Sequence, residues 1–194
     1  EVTGRDHPWV SRGGLKLAAA LDHFEIDPMG LTALDIGAST GGFTDVLLAR
    51  GAARVFAVDV GHGQLDEKLR GDQRVIVLEH TNARHLSAAQ IPEPVGLVTC
   101  DASFIGLETI LPAPLALAEA GAFLVALIKP QFEAGPGGVG KGGIVRPTLH
   151  PEICGRIAGF LGSLPGWHIL GTIDSPISGG DGNREFLIAA RYTP

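Results

Sequence analysis

Hydrophobic residues along this chain fall into two alternating kinds of run. Leu31–Ile36, Arg54–Val60, Val75–Glu79, Val95–Cys100 and Ala122–Ile128 are short, mostly apolar stretches bounded by Gly, Pro or charged residues. That pattern predicts strands buried on both faces. The intervening segments place apolar residues at helical spacing. They predict helices over Leu15–Phe24, with Ser11 a candidate cap, and over Gly42–Arg50, stopped by Gly51. Further helices are expected over Gln64–Leu69, Leu107–Ala118 and His150–Leu164, with Pro112 and Pro114 making the second of these irregular. Two last strands, Trp167–Asp174 and Glu185–Arg191, are joined by the turn-rich Ser178–Asn183. Strands alternating with helices imply an α/β fold, a mostly parallel sheet with helices on both faces, in one domain.

Composition narrows the function classes. A hydrophobic content of 45% and a charged content of 19% exclude a disordered chain. The formal net charge of -6 argues against nucleic-acid binding by bulk charge, so any basic site must be a local patch. The longest strongly apolar run, Ala122–Ile128, falls far short of the roughly 18 residues of a membrane span, so no membrane partner is expected. Two cysteines, Cys100 and Cys154, are too few for a disulfide scaffold or a zinc ribbon, and a reducing, cytoplasmic setting is expected. Glu1–Val10 reads as a linker remnant; without a leading Met or hydrophobic leader, it suggests that an upstream module is missing.

The chemistry concentrates at predicted strand ends, where doubly wound sheets bind ligands. Gly37-Ala38-Ser39-Thr40-Gly41-Gly42-Phe43 follows the first strand and opens a helix. Glycines there let a ligand approach the backbone, and the helix start offers free N–H groups. Asp59 ends the second strand about twenty residues later, where a carboxylate can accept hydrogen bonds from ribose hydroxyls. Ser39 stands where a dinucleotide G-x-G-x-x-G would have its second glycine, with Thr40 after it. The turn instead resembles the G-x-x-x-G turn of S-adenosylmethionine-dependent methyltransferases; a plain glycine-rich turn is the other reading. Gly135 to Gly142 nearly spells a phosphate loop, but Gly142 replaces its magnesium-binding hydroxyl and no helix follows promptly.

Asp101 ends the fourth strand and Lys129 the fifth. Without a nucleophile or metal cluster, that pair suits proton removal from a hydroxyl; a surface ion pair is the plain alternative. Asp101-Ala102-Ser103-Phe104 lacks the prolines and tyrosine of a D-P-P-Y amine-methylating motif. Cys100 lacks the preceding proline of a cytosine-methylating nucleophile and reads as a packed small hydrophobe. The seven histidines show no metal-ligand pattern, so no metal site is expected. Trp9 and Trp167 read as packing residues.

Several strings together resemble the hemolysin-A (TlyA) family of ribosomal RNA 2′-O-methyltransferases. They are Val10-Ser-Arg-Gly-Gly-Leu-Lys16-Leu, Leu34-Asp-Ile-Gly-Ala-Ser-Thr-Gly-Gly-Phe43-Thr-Asp, Val58-Asp-Val-Gly-His-Gly-Gln-Leu65, Thr81-Asn-Ala-Arg84, Cys100-Asp-Ala-Ser-Phe-Ile105, Ile128-Lys-Pro-Gln-Phe-Glu133 and Gly180-Asp-Gly-Asn-Arg-Glu185. The resemblance runs from Val10 to Tyr192. It implies a Rossmann-like fold with seven strands, the last antiparallel, and S-adenosylmethionine as cofactor. It also implies a tetrad shared with FtsJ-like ribose methyltransferases: Lys16, Asp101, Lys129 and Glu185. The glycine turn from Gly37 to Phe43, Asp59, Val60, Asn82 and Asp101 would hold the cofactor. Arg12, Lys141 and Arg146 would contact RNA phosphates, the partner being ribosomal RNA in ribosomal subunits. Members usually carry a small N-terminal RNA-binding module that this sequence lacks. Two departures are Glu67, where an aromatic residue is expected, and Val145-Arg146-Pro147, one residue shorter than the usual Val-Arg-Asp-Pro.

On this reading Lys129 acts on a ribose 2′-hydroxyl as base or as steering charge. Other readings are a base-amine methyltransferase, a membrane-lytic protein as the family's historical name suggests, and a catalytically silent RNA-binding scaffold.

Overall fold

Seven strands carry the molecule's core: β1 (Thr32–Ile36), β2 (Arg54–Val58), β3 (Val75–Leu78), β4 (Val95–Cys100), β5 (Ala118–Ile128), β6 (Trp167–Asp174) and β7 (Phe186–Tyr192). The computed structural model describes residues 5–194, so the Glu1–Gly4 part of the expected linker lies outside the described residues. The strands form one sheet in the order β3-β2-β1-β4-β5-β7-β6. β1 to β5 pair in parallel, and β7 inserts antiparallel to both β5 and β6. This is the Rossmann-like doubly wound arrangement. The order reverses between β1 and β4, opening a crevice at the carboxyl ends of those strands.

The sheet is covered on both faces because its central strands are apolar on both sides. One layer comprises α1 (Gly13–His23), α2 (Gly42–Ala49) and α3 (Glu67–Arg70), whose Leu17, Leu21, Leu47 and Leu69 pack on Ala33, Val55, Leu97 and Leu187. The opposite layer comprises α4 (Leu107–Ile110), α5 (Pro112–Leu115) and α6 (His150–Ser163); Leu111, between the first two, and Ile153 and Ile157 of α6 pack on Leu34, Val98, Leu124 and Ile188. Each such fully buried aliphatic side chain contributes about 1.5–3 kcal/mol. Trp9 packs partly buried on the α1 layer, and Trp167 stacks on Tyr192 with centroids 5.2 Å apart, so both tryptophans are packing residues. Val10 is tied down as well, its N–H donating to Asp45 Oδ2 at 2.9 Å. Among the described residues no helix is long and apolar enough to cross a membrane.

Two local expectations are corrected. The expected helix over Leu107–Ala118 is two single turns, α4 and α5, because Pro112 and Pro114 cannot donate to the carbonyls one turn back. The chain then enters β5 already at Ala118, where the register slips: Val95 pairs with Ala118, but Leu97 pairs with Phe123. The regular part of the strand begins near the expected Ala122. Ser11 does not cap α1 either. Arg12 is the helix-flanking residue, no side chain caps it, and the Ser11 hydroxyl instead lies over Gly42.

Candidate active site

The site grows from the turn after β1. Gly37 has φ +76°, and a Cβ there would collide with the carbonyl oxygen of Asp101. Only glycine lets the ends of β1 and β4 come this close. Ser39 is held in the left-handed region, φ +50°, with its N–H donating to Asp59 Oδ2 at 2.8 Å. Asp59 Oδ1 accepts the Gly61 N–H at 2.8 Å. Asp59 thus fastens both loops that flank it, and each oxygen keeps a further lone pair to offer a ligand. Ala38, Thr40, Gly42 and Phe43 line the cleft wall, whereas Gly41 packs beneath the turn against Leu65 and Leu69. Of the expected cofactor residues, Gly41 is therefore the one turned away.

The crevice has two lobes that share Gly37, Ser39, Asp101 and Ser103. The more apolar lobe, about 430 Å³, is walled by Val58, Asp59, Val60, Asn82, Phe104 and Ile105. Val60 and Phe104 are largely exposed there, and Asn82 Oδ1 accepts the Arg84 N–H at 3.0 Å, leaving its amide group free for a ligand. The polar lobe, about 530 Å³, is walled by the glycine turn, the start of α1, and Lys16, Asp101 and Lys129. An elongated ligand with an aromatic end and a zwitterionic end fits this division.

The four tetrad residues meet as two ion pairs. Lys129 Nζ lies 2.6 Å from Asp101 Oδ1 and donates to Ser103 Oγ at 3.0 Å. Both residues immediately follow their strands, where the sheet ends and the crevice begins. Lys16, on α1, donates to Glu185 Oε2 at 2.6 Å, and the pair is almost wholly buried. Glu185 does not reach the cavity wall; it stands behind Lys16 and anchors it. Arg12 opens onto the polar lobe, while Lys141 and Arg146 are exposed on the glycine-rich segment and do not line it. Asn183 pins that segment: its Oδ1 accepts the Val145 N–H at 2.9 Å and its Nδ2 donates to the Gly143 carbonyl at 2.9 Å.

Sequence reasoning assigned no role to Asp35, Ser103 or Asn183. Asp35 is completely buried, with Thr44 Oγ1 donating to it at 2.7 Å and Thr99 Oγ1 at 3.1 Å. Burial pushes its carboxyl up to about 7 against the pull of the two hydroxyls. It ties β1 to β4 and α2 under the floor of the crevice. The available signal was a carboxylate inside an otherwise apolar strand, which demands partners. Cys100 is fully buried, and burial raises its thiol far above the usual range, as befits a packing residue.

Residues 9–192 match the FtsJ-like methyltransferase family. The chain belongs to that family. This FtsJ-like methyltransferase is 50% identical, over 191 residues, to a Mycobacterium tuberculosis protein named 16S/23S rRNA (cytidine-2′-O)-methyltransferase TlyA, spanning 98% of this chain and 71% of that one. It is 42% identical over 182 residues to hemolysin A of Brachyspira hyodysenteriae, spanning 92% and 75%. The crystal structure of magnesium protoporphyrin IX methyltransferase from Synechocystis with bound SAM matches with a TM-score of 0.63 over 93% of this chain and 80% of that one. At 15% identity that match is a likeness of fold, the fold of S-adenosylmethionine-dependent methyltransferases.

Proposed function

We propose that this protein transfers a methyl group from S-adenosylmethionine to a ribose 2′-hydroxyl of ribosomal RNA within ribosomal subunits in the cytoplasm. The observation that carries the reading is the Lys129 amine in the polar lobe, beside the Asp101 and Ser103 that both lobes share, already holding a hydroxyl oxygen, that of Ser103, at 3.0 Å. The relative named as an rRNA cytidine-2′-O-methyltransferase supports the substrate class.

The residues present fit the cofactor. The apolar lobe suits an adenine, Asp59 and Asn82 suit ribose hydroxyls, and the glycine turn and α1 start suit an amino-acid end. When bound, S-adenosylmethionine supplies a methyl group on a positively charged sulfur. Asp101 fixes Lys129 through their 2.6 Å pair, and Glu185 fixes Lys16. Lys129 would position the incoming hydroxyl: as a base its unprotonated amine would accept the hydroxyl proton, and as a steering charge its ammonium would orient the hydroxyl oxygen. Positioning of this kind lowers the barrier by prepaying the entropy of alignment. Arg12 on the polar lobe and the exposed Lys141 and Arg146 would supply positive charge to RNA phosphates.

The test is a methylation assay on ribosomal subunits, followed by mapping of the modified nucleotide. Lys129→Ala should leave the fold and cofactor affinity nearly intact while transfer falls by roughly 10²–10⁴-fold. Lys129→Arg separates the two roles of the amine. Guanidinium cannot accept the proton, so activity in that variant means steering and loss of it means base catalysis. Unimpaired Lys129→Ala activity would refute both.

A further inference from the structure

A second cleft opens at the same end of the sheet, on the face opposite α1. It encloses about 530 Å³ between the first turn of α6 and the ends of β6 and β7, within the size of ordinary ligand sites at about 300–1,000 Å³. Its walls are Pro147, Pro151, Cys154, Ile173 and Phe186, with Arg184 and Asp174 paired at 2.7 Å on the rim. His150 forms part of the wall. It is only 6% exposed, and neither ring nitrogen has a hydrogen-bond partner among the described residues. Its ring stands edge-on to Phe186 at 5.3 Å. A buried imidazole with both nitrogens idle is rare, because each unmade hydrogen bond is a penalty of burial. Burial, reinforced by the nearby Arg184, holds His150 below its ordinary value, so the ring is neutral with one donor and one acceptor.

The chain links this cleft to the catalytic site in two ways, although the two share no lining residue. Arg184 and Phe186 flank Glu185, and successive side chains along a strand point to opposite faces. Glu185 turns to Lys16 in the α1 layer while Phe186 packs in the α6 layer. Moreover, the glycine-rich segment starts at Lys129 in the first site and ends at Pro147 and His150 in the second, with Lys141 and Arg146 exposed along it. The exposed Lys141 and Arg146 thus lie on the stretch of chain between the two sites.

Charge decides which part of a nucleotide enters. Asp174 already neutralises Arg184, Glu152 lies in the first turn of α6, and His150 is neutral, so nothing in the cleft favours a phosphate. Apolar walls with idle donors and acceptors match an unpaired base, read on its edge as in single-stranded RNA recognition. We propose that this cleft receives an unpaired RNA base neighbouring the methylated nucleotide, its edge taken by His150 and its phosphate left outside near Arg146. The inference rests on the reading of the protein as an RNA methyltransferase.

The experiment measures KM for ribosomal subunits in wild type and two variants. Thr172→Trp fills the cleft from an exposed position on β6, and His150→Phe keeps the ring but removes both nitrogens. With S-adenosylmethionine affinity unchanged by calorimetry, each should raise KM by about tenfold, the equivalent of one good contact. Cys154 gives a readout independent of turnover, since its alkylation by N-ethylmaleimide should slow when subunits bind the wild type. Wild-type methylation with unaltered KM in both folded variants and no protection of Cys154 overturns the base cleft and leaves the methyltransferase reading standing. A wild type that methylates no RNA in subunits overturns that reading and the cleft together.

Discussion

Asp35→Asn replaces the carboxyl buried beneath the crevice with an amide of the same shape. Asp35 is pushed up to about 7 from an ordinary 3.8, chiefly by burial, while Thr44 and Thr99 act in the opposite direction and Asp101 and Asp59 add to the rise. At about 1.36 kcal/mol for each pKa unit, the difference amounts to roughly 4 kcal/mol. Below pH 3.8 both folded and unfolded chains carry the proton, and the group contributes no pH dependence. Between pH 3.8 and about 7 the unfolded chain releases it and the folded chain keeps it. Unfolding is then favoured as pH rises, and the loss is complete once the folded carboxyl also ionises. The substituted amide does not titrate and still offers an oxygen to one of the two hydroxyls. Urea unfolding of both proteins, followed by far-UV circular dichroism from pH 4.5 to 8, isolates this group, because every other carboxylate cancels in the difference. The stability of Asp35→Asn relative to wild type should climb by a few kcal/mol across that range. A difference that stays flat, or that moves in favour of wild type, would show that Asp35 is ionised throughout and that its two hydroxyl bonds outweigh its burial.

Asp59→Ala should weaken S-adenosylmethionine binding by about 1–3 kcal/mol in calorimetry, since Ser39 and Gly61 lose their shared acceptor as the ligand loses a partner; equal affinities in a folded variant would remove Asp59 from the ribose role. Glu185→Gln should destabilise the fold by about 3–5 kcal/mol in thermal or urea unfolding, because it strands the buried Lys16 ammonium. The double variant Lys16→Met with Glu185→Gln should recover much of that stability without recovering methyl transfer. Asn183→Ala should leave the cofactor affinity unchanged but speed proteolysis between residues 135 and 145, as the glycine-rich segment loses its anchor.

The order of elements and the edge that carries chemistry were determined by sequence alone. β1, β2 and β4 lie within two residues of their expected ends because an apolar run between glycines or charges is a local signal. The strings around Gly37, Asp101, Lys129 and Glu185 likewise lie at strand ends, and in parallel sheets ligands gather there whatever the helices do. Local pattern failed where backbone hydrogen bonding overrode it: two prolines broke the helix after Leu107, and β5 began at Ala118 because β4 offered a bulged partner. It was silent on pairing. Lys16 and Glu185 are 169 residues apart, and only the insertion of β7 beside β5, under α1, brings them together. The same holds for Asp35, whose place among apolar neighbours marked a strand but not its isolation from water. That isolation arises when α2 closes over the sheet and sets Thr44 on one side of the carboxyl, with Thr99 of the neighbouring β4 on the other. Periodicity along a chain reports which face is buried. Which charged groups share that burial is decided by non-local packing, and here that packing forms the cleft floor, the two ion pairs and the unpartnered histidine.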